Sequence, residues 1–259
     1  MDVSAHNRVA WNREAAEGGI WSHPVDPGTI ARARRGAFEV ILTPTVSVPR
    51  DWFGNPIEAA LLGLASGGGQ QMPVLAAAGA GVTSFDLSDV QLALDAEVAA
   101  REGLDLRCVQ GDMTERLPFA DASFDLIFHP VSNLFIPDPA ALWCECARVL
   151  RPGGRLLAGF MNPDWFIFDH DEAERSGQVV ARYPLPFCEP DDLDARDRAT
   201  WAQAGRQICF SHSLDAQIGG QLAAGLALKE FYSDAWDAAI TPVAAWLPSA
   251  FATLAERPR

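Results

Sequence analysis

A chain of 259 residues, 49% hydrophobic and 21% charged, is long enough to bury one large α/β core without disulfide staples and is too apolar to be disordered. Its formal charge of −14 is opposite in sign to that of proteins that hold phosphates with clustered Lys and Arg. Small molecules are therefore the expected partners, not nucleic acid or anionic membrane.

Residues 5–18 read as a helix that ends at Gly18-Gly19, and residues 28–36 as a second, short one. Its basic trio, Arg32, Arg34 and Arg35, reads as a solvated face. Pro44, Pro49 and Pro56 then make a loop-rich approach. Residues 1–56 hold no complete fold and are expected to form a helical cap on something larger.

From residue 57 the pattern alternates. Ile57–Leu64 reads as a strand, Gln70–Ala78 as a helix with Pro73 in its first turn, and Val82–Phe85 as a strand ending in Asp86. A helix is expected over Asp89–Gly103, strands over Leu106–Val109 and Phe124–Phe128, and a helix over Pro139–Leu150 capped by Asp138. Arg151-Pro152-Gly153-Gly154 stops that helix before a strand at Arg155–Phe160. Such alternation predicts a mostly parallel sheet covered by helices on both faces, with its ligand at the carboxyl ends of the strands. Residues 161–207 read as either a surface insertion or a lid over a substrate. Ile208–His212 and Ala227–Tyr232 are expected as late strands around a helix at Asp215–Ala224.

The five cysteines, Cys108, Cys144, Cys146, Cys188 and Cys209, include no Cys-x-x-Cys pair. Free thiols in a reducing cytoplasm are expected, without a zinc site or any other bound metal. Met1–Trp11 has no apolar signal core, and no apolar run approaches the roughly 18 residues of a membrane span.

Three strand ends carry the candidate chemistry. After the first comes Ala65-Ser66-Gly67-Gly68-Gly69-Gln70-Gln71, where glycines allow close approach of a ligand to backbone and the next helix offers free N–H groups. Asp86, at the second, can accept two hydrogen bonds from ribose hydroxyls. Gly111-Asp112-Met113, at the third, pairs an acceptor for an adenine amino group with a soft apolar side chain.

The ordered series LLGLASGGGQQ, VTSFDLS, VQGDM, LPFADASFDLIFHPVSN and RVLRPGGRLLAGF resembles the motifs of class I S-adenosylmethionine-dependent methyltransferases over about residues 57–160. It is similar in particular to the small-molecule branch with a LASGGGQ-type loop. The resemblance implies a Rossmann-like fold with a seven-stranded, mostly parallel sheet and an antiparallel last strand. It implies S-adenosylmethionine as cofactor and a small-molecule methyl acceptor. It places the methionine part against Ala65–Gln71, the ribose at Asp86 and the adenine at Asp112, with Leu87, Ser88, Gln91, Gly111 and Met113 completing the contacts. His129, after the fourth strand, is then expected beside the reacting methyl and among the cofactor contacts, either as a proton acceptor or as a group that packs against the cofactor or hydrogen-bonds the backbone. Asn133 is expected to orient substrate or to serve the turn, and His212 is a second candidate base. Trp11, Trp21 and Trp52 are expected to wall the pocket or to pack in the core. Relative to the common DLGCGTG-like loop, Gly63 stands where the family has Asp, Ala65 where it has Gly, and Gly68 where it has Thr. Backbone carbonyls or a cap residue are then expected to hold the methionine ammonium. Two other readings stay open. A nicotinamide-dependent oxidoreductase would want a glycine where Met72 stands, and a non-catalytic relative would bind cofactor only.

Overall fold

Among the described residues, two α-helices precede the sheet, α1 (Val3–Ala16) and α2 (Pro27–Arg34), followed by a 3-10 turn at Arg50–Phe53. The computed structural model describes residues 2–55 and 59–259. Helix α1 starts two residues earlier than the periodicity suggests because Asp2 accepts the Ala5 N–H at 3.0 Å. Asp26 caps α2 in the same way, with Pro27 at its first position.

The core then runs β1 (Ala60–Leu64), α3 (Gln71–Ala77), β2 (Gly81–Asp86), α4 (Asp89–Glu102), β3 (Leu106–Gln110), β4 (Phe124–His129), α5 (Ala140–Val149) and β5 (Leu150–Met161). The expected start of β1 at Ile57 lies outside the described residues. After β5 come α6 (His170–Ser176), α7 (Ala195–Ala204), α8 (Gly220–Ala223), β6 (Ala227–Asp234) and β7 (Ala250–Glu256). The seven strands form one sheet in the order β3-β2-β1-β4-β5-β7-β6. Strands β1 to β5 pair in parallel, and β7 runs antiparallel to both β5 and β6. This is the Rossmann-like methyltransferase architecture, a mostly parallel sheet with an antiparallel last strand.

Alternation along each strand divides the core. Leu61, Leu126, Phe128 and Leu157 point to one face, where they meet Ile30, Trp52 and Val98. Leu62, Leu64, Ile127 and Leu156 point to the other, against Leu142, Trp143 and Cys146 of α5.

Two expectations are corrected. Ile208–His212 is not a strand of the sheet; within it Phe210 makes a single bridge to Cys188. The partner of β6 is β7, whose alanine-rich sequence has weak strand propensity but lies between two strands, where small side chains fit. The expected helix at Asp215–Ala224 is a π-turn, Asp215–Gly219, running into the one-turn α8. The Trp143 indole N–H donates to the Ala216 carbonyl at 3.0 Å and holds that turn.

Residues 162–207 do not border the cavity described below. Phe187, Leu193 and Trp201 make a small core with Ile208. That unit docks on α1, with His6 stacked on Trp201 at 5.2 Å and the Asn7 amide exchanging hydrogen bonds with the Ile208 backbone. This part of the segment thus backs α1, while Trp165 and Ala173 pack with Val243 against Met161 and Trp236. Among the described residues no helix is long and apolar enough to cross a membrane.

Candidate functional site

The carboxyl ends of β1, β2, β3, β4 and β5 open into one cavity of about 230 Å³. It spans the gap between β1 and β4, where the winding of the sheet reverses and ligands bind in open α/β sheets.

The loop after β1 is bonded at almost every residue. The Ala65 N–H donates to the Phe85 carbonyl at 2.8 Å. Ala65 has φ of +51°, a left-handed conformation that costs an alanine about 1–2 kcal/mol. The Gly67 N–H donates to Asp86 Oδ2 at 3.0 Å, and a Cβ there would sit 2.9 Å from that of Gln91. The Gly68 and Gly69 N–H groups donate to the Gln91 carbonyl and to Asp95 Oδ1. Ala65, Ser66, Gly67, Gln70 and Gln71 border the cavity. Gly68 and Gly69 do not, because their peptides turn towards the cap and α4.

Asp86 is at the cavity wall and accepts the Ser88 N–H on Oδ1 at 2.9 Å. Burial pushes its carboxyl up, against the pull of the Ser88, Gly67 and Leu87 N–H groups. Asp112 Oδ1 accepts both the N–H and the hydroxyl of Thr114 at 2.8 Å. Leu87, Gln91, Gly111 and Met113 also border the cavity. Ser88 does not: its hydroxyl caps α4 at the Gln91 N–H and donates to Asn12 of α1.

The residue at 63 also has a physical reading. A Cβ on Gly63 would lie 1.9 Å from the Met72 sulfur and 2.6 Å from Ser66 Oγ. The Met72 thioether therefore fills the space of an acid at this position. Ser66 Oγ, at the cavity wall, is buried with no hydrogen-bond partner among the described residues. A polar ligand group at this end of the cavity would satisfy it.

Asp95, on α4, was not singled out by the sequence, where it reads as one more polar residue of a helix. It is fully buried and joins three elements, accepting the Gly69 N–H at 2.7 Å and the Ser84 hydroxyl at 2.7 Å. Desolvation raises its carboxyl to about 7. Between about pH 4 and 7 the unfolded chain releases this proton while the folded chain keeps it, so stability falls as pH rises through that window. Asp95→Asn is expected to gain stability relative to wild type between those pH values in urea unfolding. A difference that stays constant with pH would contradict this.

His129, Asn133 and His212 are placed away from the cavity wall. Strand alternation turns the His129 ring onto the α5 face of the sheet, edge-on to Trp143. It is wholly buried, Nδ1 bonds the Leu64 carbonyl at 2.9 Å, and desolvation lowers its pKa to about 4. Of the two roles expected for it, this placement suits the packing and backbone-bonding one, with the ring neutral. Asn133 is buried in a reciprocal amide pair with Gln217, both bonds 3.0 Å. His212 Nε2 bonds the carbonyls of Asn133 and Ile136. Both clasp the segment before α8 onto the turn after β4.

Of the tryptophans, Trp11 and Trp21 border the cavity. Trp52 is in the core, its indole N–H bonded to Glu230 at 2.9 Å. The sequence reading missed Ile41–Pro44 of the cap, Met161 at the end of β5 and Trp236 after β6, which all border the cavity. Their only local signal was an isolated tryptophan in a polar stretch and a Thr-Pro step.

A family model described as a methyltransferase domain matches residues 62–158. The chain is 41% identical over 230 residues to "Uncharacterized methyltransferase YbaJ" of Bacillus subtilis (strain 168), covering 89% of this chain and 90% of that protein. Among solved structures it resembles an S-adenosylmethionine-dependent methyltransferase of Mesorhizobium loti, with a TM-score of 0.62, 17% identity, and 80% of this chain and 95% of that one covered. It also resembles the 1,6-didemethyltoxoflavin-N1-methyltransferase of Burkholderia thailandensis, solved with 1,6-didemethyltoxoflavin and S-adenosylhomocysteine, with a TM-score of 0.58, 16% identity, and 99% and 89% covered. The fold, the cavity at the strand ends and a relative that spans nearly the whole chain lead to one assignment: the chain belongs to the class I S-adenosylmethionine-dependent methyltransferases.

Proposed function

We propose that the chain transfers a methyl group to a small molecule held in the same cavity as its cofactor. The observation that carries this reading is the convergence of Ser66, Asp86 and Asp112, from three successive strand ends, on one cavity. When bound, S-adenosylmethionine supplies an electrophilic methyl on a positively charged sulfur.

Asp86 would receive the ribose hydroxyls, and the Gly67 and Ser88 N–H groups hold its carboxylate in place. Asp112 and Met113 would take the adenine edge and face. Ser66 Oγ and the loop carbonyls are the polar groups near the methionine end. Pro130, Val131, Met161 and Trp236 would pack on the acceptor and exclude water. The protein's main contribution is alignment, which suits an in-line displacement. A wall built from α1, Ile41–Pro44 and Trp236 suits an acceptor of small size. The free cysteines suit a reducing cytoplasm.

Calorimetric titration of the purified protein with S-adenosylmethionine tests the reading, and no binding by folded wild type would remove it. His129→Asn gives a second test. The variant is expected to keep its rate of transfer within about threefold while losing roughly 1–2 kcal/mol of stability from packing and a hydrogen bond. A selective tenfold-scale fall in kcat at unchanged stability would restore a base role for His129.

A further inference from the structure

We propose that the acceptor half of the cavity takes an uncharged, planar heteroaromatic molecule whose nucleophilic ring nitrogen arrives with its lone pair free. This rests on the methyl-transfer reading above and specifies its substrate class.

The sheet divides the cavity. The carboxyl ends of β1, β2 and β3 carry Ser66, Asp86 and Asp112, so the acceptor belongs over β4 and β5. That half is bordered by Pro130 and Val131 after β4, Met161 at the end of β5, Ile41 and Pro44 of the cap, and aromatic rings. Trp236 stands 6.0 Å from Trp21, tilted by 54°, where the Trp21 backbone lies against Gly68 at the border with the cofactor half. Trp11 meets Phe135 edge-on at 5.0 Å. Two ring pairs at the wall favour flat apolar ligands through stacked and edge contacts.

Most of the amide and hydroxyl groups there are bonded to the protein, and those left over are neutral: Ser4 and Thr43 border the cavity, and the buried Thr43 hydroxyl has no partner among the described residues. Ser132 donates to the Pro130 carbonyl at 2.9 Å. Asn7 serves the Phe135 and Ile208 backbone. Gln71 Oε1 accepts the Ile41 N–H at 2.6 Å. Among the described residues that border the cavity, Asp86 and Asp112 are the ionisable ones, and both belong to the other half. A carboxylate or phosphate acceptor would lose its water there and gain no cation. A phenol, alcohol or ammonium would need a proton acceptor in reach, and His129 is sealed behind the wall. A pyridine- or imidazole-type nitrogen needs neither. Its lone pair forms the new N–C bond, the electron pair of the broken S–C bond stays on sulfur, and no proton has to leave before transfer.

The experiment measures binding and transfer separately. Quinoline, benzoate and phenethylamine are titrated calorimetrically into protein saturated with S-adenosylhomocysteine. Quinoline is expected to bind at least about tenfold tighter than either charged probe. Trp236→Ala is expected to weaken quinoline about tenfold while S-adenosylhomocysteine affinity stays within about threefold. With S-adenosylmethionine, quinoline is expected to be methylated faster than 2-naphthol, a molecule of the same shape with a protonated nucleophile, at a rate flat between about pH 6.5 and 9. Tighter binding of benzoate or phenethylamine, faster transfer to 2-naphthol, or no quinoline binding to the S-adenosylhomocysteine complex overturns the acceptor class alone. Failure of S-adenosylhomocysteine to bind overturns the underlying reading as well.

Discussion

Asp86→Ala is expected to weaken S-adenosylhomocysteine binding by about a hundredfold or more, measured by calorimetry. Asp86 acts on the ligand and on the loop at once. Its two oxygens accept the Gly67 and Ser88 N–H groups at 3.0 and 2.9 Å while its remaining lone pairs face the cavity. Hydrogen bonds to a charged group are worth about 1.5–3 kcal/mol each, so losing one or two from the ligand and loosening Gly67 together reach about 3 kcal/mol. Asp86→Asn is not expected to rescue binding. Its amide NH₂ would oppose either the Gly67 or the Ser88 N–H, donor against donor. Because burial pushes the carboxyl up, affinity is expected to fall as pH is lowered into the range where it takes a proton. A change under about threefold for both variants would show that Asp86 does not hold the ligand, and a lowered melting transition beside it would leave Asp86 a role in the loop alone.

The sequence was most legible where local chemistry punctuates a strand. Each of β1, β2 and β3 ends in a short run of glycine or aspartate, and those runs converge on one cavity because parallel strands present their carboxyl ends on one side. Legibility failed where long-range packing decides. β7 is a strand because β5 and β6 flank it, and its alanines announce nothing locally. His129 looked reactive because it closes a strand, but one step of strand alternation turned it into the α5 layer. Ile41–Pro44 and Trp236 reach the cavity from opposite ends of the chain, through contacts such as that of the Thr45 hydroxyl with Asp234. Gly63 shows a third case. Its departure from the family pattern was visible in the sequence, but its filling by Met72 is decided by how α3 packs on β1.

The second large effect is expected at Gly68→Ala, which should lower the melting temperature by roughly 10 °C and weaken cofactor binding with it. Two penalties add at this residue. Its φ of +125° is a backbone region that side-chain-bearing residues essentially avoid, at a cost of about 1–3 kcal/mol. An added Cβ would also lie 2.2 Å from the Trp21 carbonyl oxygen and 3.3 Å from its carbon. Neither backbone is free to yield. The Gly68 N–H is held by the Gln91 carbonyl, the Gly69 carbonyl accepts the Val25 N–H at 2.8 Å, and the Ser22 hydroxyl donates to Gln91 at 3.1 Å. Relief therefore requires the 19–25 segment of the cap to lift from the loop, which would shift Trp21 and Gly67 at the cavity wall. Overpacking against fixed atoms adds about 1–3 kcal/mol to the backbone strain. Gly177→Ala separates the two terms. Gly177 also has a positive φ, +74°, but a Cβ there would meet nothing within 4 Å, so it is expected to lose only about 1 kcal/mol and to leave the cofactor affinity unchanged. If Gly68→Ala behaved like Gly177→Ala, the close seating of the cap on the glycine loop would have no energetic consequence, and the cap would not be part of the cofactor site.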